Sequence, residues 1–129
     1  MTSLAGLDML VLETIGRRTG DRIRTPLLYL TDTEGNYICA ASYGGSNNHP
    51  SWFLNIVKSR TVHLQIGNKT VIASADILES QERDEAWSWL VDVYPPFAKY
   101  QNSTTRTIPV VRFNPSKTDN GFPISNTEL

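Results

Sequence analysis

Four of the twelve Lys and Arg residues in this 129-residue chain, Arg17, Arg18, Arg22 and Arg24, fall within eight positions in GRRTGDRIRTPL, although the formal net charge is only -1. Guanidinium groups at that density can make forked hydrogen bonds to phosphate or carboxylate oxygens. The same stretch also reads as a solvated hairpin turn, and the residues alone leave both readings open. A second stretch, ASYGGSNNHPSW, sets the adjacent glycines Gly44 and Gly45 before a helix start, where backbone can approach a ligand closely or simply turn the chain. Within it, Trp52 reads equally as a core ring and His49 as a surface residue of the first helical turn. A third stretch, YPPFAKY, repeats an aromatic ring every three residues at Tyr94, Phe97 and Tyr100, which lines up three rings beside a pocket or packs them on a core. Hydrolytic chemistry has no such support: there are two histidines, and the one cysteine, Cys39, sits in an apolar run without a motif. No Cys/His cluster has metal-ligand spacing, and YGGS lacks the Gly-x-Gly-x-x-Gly pattern of a dinucleotide loop.

The elements that must position these stretches follow from periodicity and punctuation. MLVLETI, TPLLYLT and NYICAAS read as strands, the latter two joined by the turn signal DTEGN, and Pro26 must begin its strand or lie on an edge. Past YGGSNN the apolar period lengthens to that of a helix over about residues 49–58, with Trp52, Phe53, Ile56 and Val57 on one face and Asn48 as its cap. TVHLQI and TVIASADI form a hairpin about Gly67 and Asn68. ERDEAWSWLVDVY is a helix with Trp87, Leu90, Val91 and Tyr94 on its apolar face, broken by Pro95 and Pro96, and TIPVVRF is a last strand. Six strands linked largely by hairpins predict a mainly antiparallel sheet or small barrel of α+β type with two to three flanking helices.

Composition sets the outer limits. At 40% hydrophobic and 19% charged residues, the chain is sized for one domain, expected over residues 1–113 with a polar C-terminal tail over 114–129. The balanced charge argues against nucleic-acid binding, and no apolar run is long enough for stable membrane insertion. A lone cysteine and no signal-peptide pattern predict a cytoplasmic protein, and exposed edge strands leave room for a homodimer.

Taken together and in order, GRRTGDRIRTPLLYL, ASYGGSNNHPSWFLNI and YPPFAKYQNSTTRTIPVV resemble the deazaflavin-dependent nitroreductase family over about residues 10–113. The resemblance implies a split β-barrel of the FMN-binding-like kind. It also implies an oxidoreductase that passes hydride from reduced coenzyme F-420 to a small-molecule enone, quinone or nitro compound. By this resemblance, Arg17, Arg18, Thr19, Gly20, Arg24, Pro26, Leu27, Ala41, Gly44, Gly45 and Asn48 would contact the coenzyme. Phe97, Trp52, Tyr43 and His49 would contact substrate. Tyr94, Tyr100 or Ser42 would act in catalysis, a tyrosine by donating a hydrogen bond to an oxygen gaining negative charge. Relatives carry Arg at the place of Ile23 and Lys or Arg at that of Asn48. These departures keep two other readings in view: a cofactor-independent isomerase or cyclase in the same pocket, and a non-catalytic carrier of a flavin-like ligand. FMN or no cofactor are the corresponding alternatives to the deazaflavin.

Overall fold

A computed structural model describes residues 2–4 and 7–116. Its strands are β1 (Thr2–Leu4), β2 (Leu7–Ile15), β3 (Arg22–Thr31), β4 (Tyr37–Ala40), β5 (Thr61–Ile66), β6 (Lys69–Ile77) and β7 (Val110–Pro115). They hydrogen-bond antiparallel in the order β1-β2-β3-β4-β7-β6-β5, and β2 pairs with β5 to close six of them into a barrel. All six expected strands are present. The short β1, which the periodicity did not indicate, adds to the β2 edge.

Alternation explains the inside of the barrel. Leu10 and Leu12 of β2, Val62 and Leu64 of β5, Ala73 and Ala75 of β6, and Val111 and Phe113 of β7 point inward and are buried. Helix α1 (Ser51–Lys58) contributes Trp52, Phe53 and Ile56 to the same core. The β4–β7 pair is buried on both faces, because Ile38, Ala40 and Val110 pack outward against Ala86 and Leu90 of helix α2 (Ser80–Val93) and Phe97 of helix α3 (Pro96–Asn102). That double burial accounts for the unbroken apolar run Ile38–Ala41, since a strand covered on both sides has no solvent face to alternate with.

The barrel is split where β3 and β4 meet. Only Leu30 and Thr31 of β3 find β4 partners, in Ile38 and Tyr37, whereas residues 22–29 pair with β2 alone. Pro26 lies inside β3, opposite Val11, rather than at its start. Its missing N–H is tolerated because this stretch of β3 is a local edge.

Several boundaries differ from expectation. Helix α1 begins at Ser51 with Pro50 as its cap residue, not Asn48, whose N–H instead donates to Ser46 Oγ. Val57 is exposed, and the buried position beside Ile56 goes to the polar Asn55, whose bonds are described below. The β5–β6 turn at Gly67 and Asn68 is as expected. Strand β7 runs two residues into the expected tail, and residues 117–129 of that tail lie outside the described residues.

Candidate active site

A cleft of about 540 Å³ opens along the split edge of β3. Ile23, Thr25, Pro26, Leu27 and Leu28 form one wall, and Ala40, Ser42, Tyr43 and Gly44 form the opposite one. Trp52 and the start of α1 close one end, and the rings of Tyr94, Phe97 and Tyr100 close another. The three quoted stretches thus meet in a single, largely apolar cavity of the size that binds a flat ligand.

Each wall has a local cause. Residues 43–45 make a single tight turn with φ of 48°, 63° and 84°, the left-handed region that favours glycine. Gly44 has open space around it, but a Cβ on Gly45 would lie 2.8 Å from the Tyr100 carbonyl oxygen. Gly45 therefore permits a close approach to helix α3, at a position where the resemblance implied contact with the coenzyme. Pro95 and Pro96 end α2 and start α3, which sets Tyr94 and Phe97 edge to face with centroids 5.0 Å apart and Phe97 and Tyr100 likewise at 6.0 Å. Tyr94 Oη and Tyr100 Oη are 3.4 Å apart. The pKa of Tyr100 is raised by that hydrogen bond, then by burial and by the proximity of Tyr94, so its phenol stays protonated at neutral pH.

The arginine hairpin, residues 16–21, divides its cations. Arg17 is docked on α1: its main-chain N–H and Nη1 donate to Asn55 Oδ1 at 3.1 and 3.0 Å, while its carbonyl accepts from Lys58 Nζ. A longer contact of 3.5 Å joins Nη1 to the carbonyl of Ser51, which lines the cleft. Asn55 in turn donates to Thr14 Oγ1. Arg18 is exposed and has no hydrogen bond or ion pair among the described residues. Thr19 Oγ1 accepts from the Asp21 N–H, within a turn that Gly20 passes through at φ 79°.

Arg24 departs from the expected clamp. It projects from the face of β3 opposite Ile23 and Thr25, where it donates to Gln65 beside Glu13 and His63. Strand alternation makes this unavoidable once Ile23 faces the cleft. Ala41 and Gly45 are buried behind the wall, and Asn48 is exposed beyond it. His49 does not line the cleft: its ring stacks on Phe53 at 4.9 Å and Nδ1 faces Arg106 Nη1 at 3.1 Å. Trp52 serves both expectations, being buried against Phe53 while it lines the cleft.

Met9, Thr25 and Leu28 also line the cleft, from strand positions that periodicity marks only as apolar or small, and Asn55 is a polar residue buried on a helix face otherwise apolar. No motif in the sequence marks Arg106. This guanidinium donates to the carbonyls of Ser46, Ser42 and Ala41 at 2.7, 2.8 and 3.2 Å. Burial lowers its pKa, and it remains a cation at neutral pH. The pKa of His49 is lowered, first by burial and then by this cation. Chemically, the cleft can enclose a planar ring between apolar walls and donate a phenolic hydrogen bond at its aromatic end, while Arg17, Arg18, Thr19 and Gly20 lie outside its lining, with Arg17 reaching the carbonyl of the lining residue Ser51.

Known proteins resemble this chain in sequence and fold. A Mycobacterium tuberculosis protein assigned by name to quinone reduction with the reduced deazaflavin coenzyme is 37% identical over 106 residues, 82% of this chain and 88% of its own. A second from the same species, named for the same activity, is 30% identical over 79% of this chain and 70% of its own. Among solved structures, the F-420-dependent reductase FDR-A matches with a TM-score of 0.76 and 34% identity over 88% of this chain and 99% of its own. A structure described as a domain-swapped dimer matches with a TM-score of 0.76 and 36% identity over 83% of this chain and 80% of its own. A Listeria innocua protein named for pyridoxamine 5'-phosphate oxidase shares the fold alone, with a TM-score of 0.61 and 12% identity over 85% of each chain. The sequence model of the F420H(2)-dependent quinone reductase family matches residues 1–115, and the chain belongs to that family.

Proposed function

We propose that this protein is an oxidoreductase in which reduced coenzyme F-420, seated in the cleft along β3, reduces quinones to hydroquinones. One observation carries the reading: a chain of this family unites an apolar slot and a row of aromatic rings in one cavity, and a cationic hairpin docks beside it on α1 through Asn55 and the Ser51 carbonyl. The residues suit the coenzyme. Pro26, Leu27 and Trp52 offer apolar surface to a flat ring, while Arg18 and the opening turn of α1, whose first N–H groups precede the helical ladder, suit phosphate and carboxylate oxygens. The coenzyme, when bound, supplies the hydride; a proton completes the hydroquinone.

The chain's own contribution is placement and electrostatics. Apolar walls exclude water and strengthen the few polar contacts inside. Each phenol carries one proton, so the pair works in series: one of Tyr94 and Tyr100 donates to the other's Oη, and the second donates to the quinone oxygen on which negative charge develops. Arg17 sets the hairpin on α1 through Asn55, and Arg18 meets the anionic part of the coenzyme. Ile23, facing the cleft, adds apolar wall.

Quinones are the acceptors named for the curated relatives. The isomerase, cyclase and carrier readings find no support among these proteins. Fluorescence titration with F-420, with FMN as comparator, followed by steady-state quinone reduction, tests the proposal. Micromolar binding of the deazaflavin is expected, weakened at least tenfold, about 1.4 kcal/mol, by Arg17→Ala/Arg18→Ala. Failure to bind the coenzyme, or conversion of quinone without it, would overturn the reading.

We further infer a homodimer, on the likeness to the domain-swapped dimer, which light scattering tests as twice the chain mass. A reducing cytoplasm suits the buried thiol of Cys39, whose pKa burial pushes up. Among the described residues no helix is long and apolar enough to cross a membrane.

A further inference from the structure

Arg106 does not line the cavity, yet it ties the Ser42–Gly44 wall to the helix that closes the aromatic end. Its side chain closes on the carbonyls of Ala41, Ser42 and Ser46 and faces His49 Nδ1. Its main chain is fastened to helix α3 by Gln101, whose Nε2 donates to the Arg106 carbonyl at 2.7 Å, and the Arg106 N–H donates to Thr104 Oγ1, just past that helix, at 3.3 Å. Gln101 Oε1 also accepts from the Ile108 N–H at 2.9 Å. The bridge therefore runs from the helix bearing Phe97 and Tyr100 to the turn bearing Ser42, Tyr43 and Gly44.

That turn needs an external hold. Tyr43 takes a left-handed backbone conformation that its side chain disfavours, and two residues of the same hand follow it. The neighbouring Gly45 lies so close to the main chain of Tyr100 that a Cβ there would come within 2.8 Å of its carbonyl oxygen. A planar guanidinium with five N–H donors can serve several diverging carbonyls at once; an ammonium cannot do so with the same geometry.

We propose that Arg106 is a positioning residue for the reaction, which fixes the separation between the Ser42–Gly44 wall and the rings of α3 and so the shape of the aromatic end of the slot. This deepens the functional reading above and rests on it. His49, with a neutral ring whose Nδ1 accepts from Nη1, completes the hold.

The test uses wild type, Arg106→Gln and Arg106→Lys, each checked for folding by circular dichroism. In the protein without coenzyme, hydrogen exchange is expected to accelerate at least tenfold over residues 41–48 of Arg106→Gln, with β5 and β6 still protected. Its Kd for F-420 should rise at least tenfold, and its KM for reduced coenzyme by a similar factor with kcat within about threefold. Arg106→Lys should fall between the two in every readout, since it keeps the charge and loses the fork. Unchanged exchange and unchanged Kd in both folded variants, with only a lower melting temperature, would overturn the proposal. Should wild type bind no F-420, the functional reading fails and takes the catalytic part of this proposal with it. The exchange result still decides whether Arg106 holds the wall.

Discussion

A phenol that keeps its proton at neutral pH can support negative charge arising on a nearby oxygen, and Tyr100 is held in that state by Tyr94 and by burial. Tyr100→Phe should lower kcat for quinone reduction by about 100- to 1000-fold while leaving the Kd for coenzyme within threefold; stopped-flow oxidation of the bound coenzyme separates the two. His49 contributes differently. Its folded pKa lies below the ordinary value of 6.5, so the folded chain binds a proton less readily than the unfolded one. The stability from its neutral ring is present above pH 6.5 and is lost as pH falls through the lower folded value. Melting curves from pH 7.5 down to 5 should show a decline that is smaller in His49→Gln. The aromatic triad was legible because three rings at a fixed interval project to one side of any helical turn. The division of labour between Arg17 and Arg18 was not, because only Asn55, thirty-eight positions away, decides which guanidinium is engaged.

Between elements, the contacts that matter are few and polar. The hairpin between β2 and β3 sits on α1 through Asn55, which bonds Arg17 and Thr14 from a buried position. Asn55→Ala leaves those partners unsatisfied and should cost about 1–3 kcal/mol, measured by urea unfolding, while it frees the hairpin and weakens coenzyme binding. The turn at residues 43–45 meets α3 at Gly45. Gly45→Ala combines a left-handed φ with a contact of 2.8 Å to backbone and should destabilise by about 1–3 kcal/mol. Activity should fall further than stability, since Tyr100 must shift to make room. Turn and proline signals located these elements well, but they overestimated Asn48 as a cap, because Pro50 opens the helix two residues later with no side-chain cap.

At the scale of the whole molecule, the barrel supplies stability and its flaw supplies the cleft. Phe113→Ala, in the closed core, should cost about 3–5 kcal/mol, whereas Ile72→Ala, on an exposed strand face, should fall within about 1 kcal/mol of wild type; denaturant midpoints distinguish them. By itself, the sequence determined the six strands, the two longer helices, the aromatic turn and the three stretches that meet in the cleft. These rest on local periodicity, on proline and glycine stereochemistry and on motif order, all of which act within a few residues. Only tertiary structure decided that β2 closes on β5, that β3 loses its partner beside Pro26, that Arg24 faces away from the cleft and that Arg106 reaches the glycine turn. Each of those outcomes depends on which strands pair and in what register, a property of contacts between residues far apart in the chain.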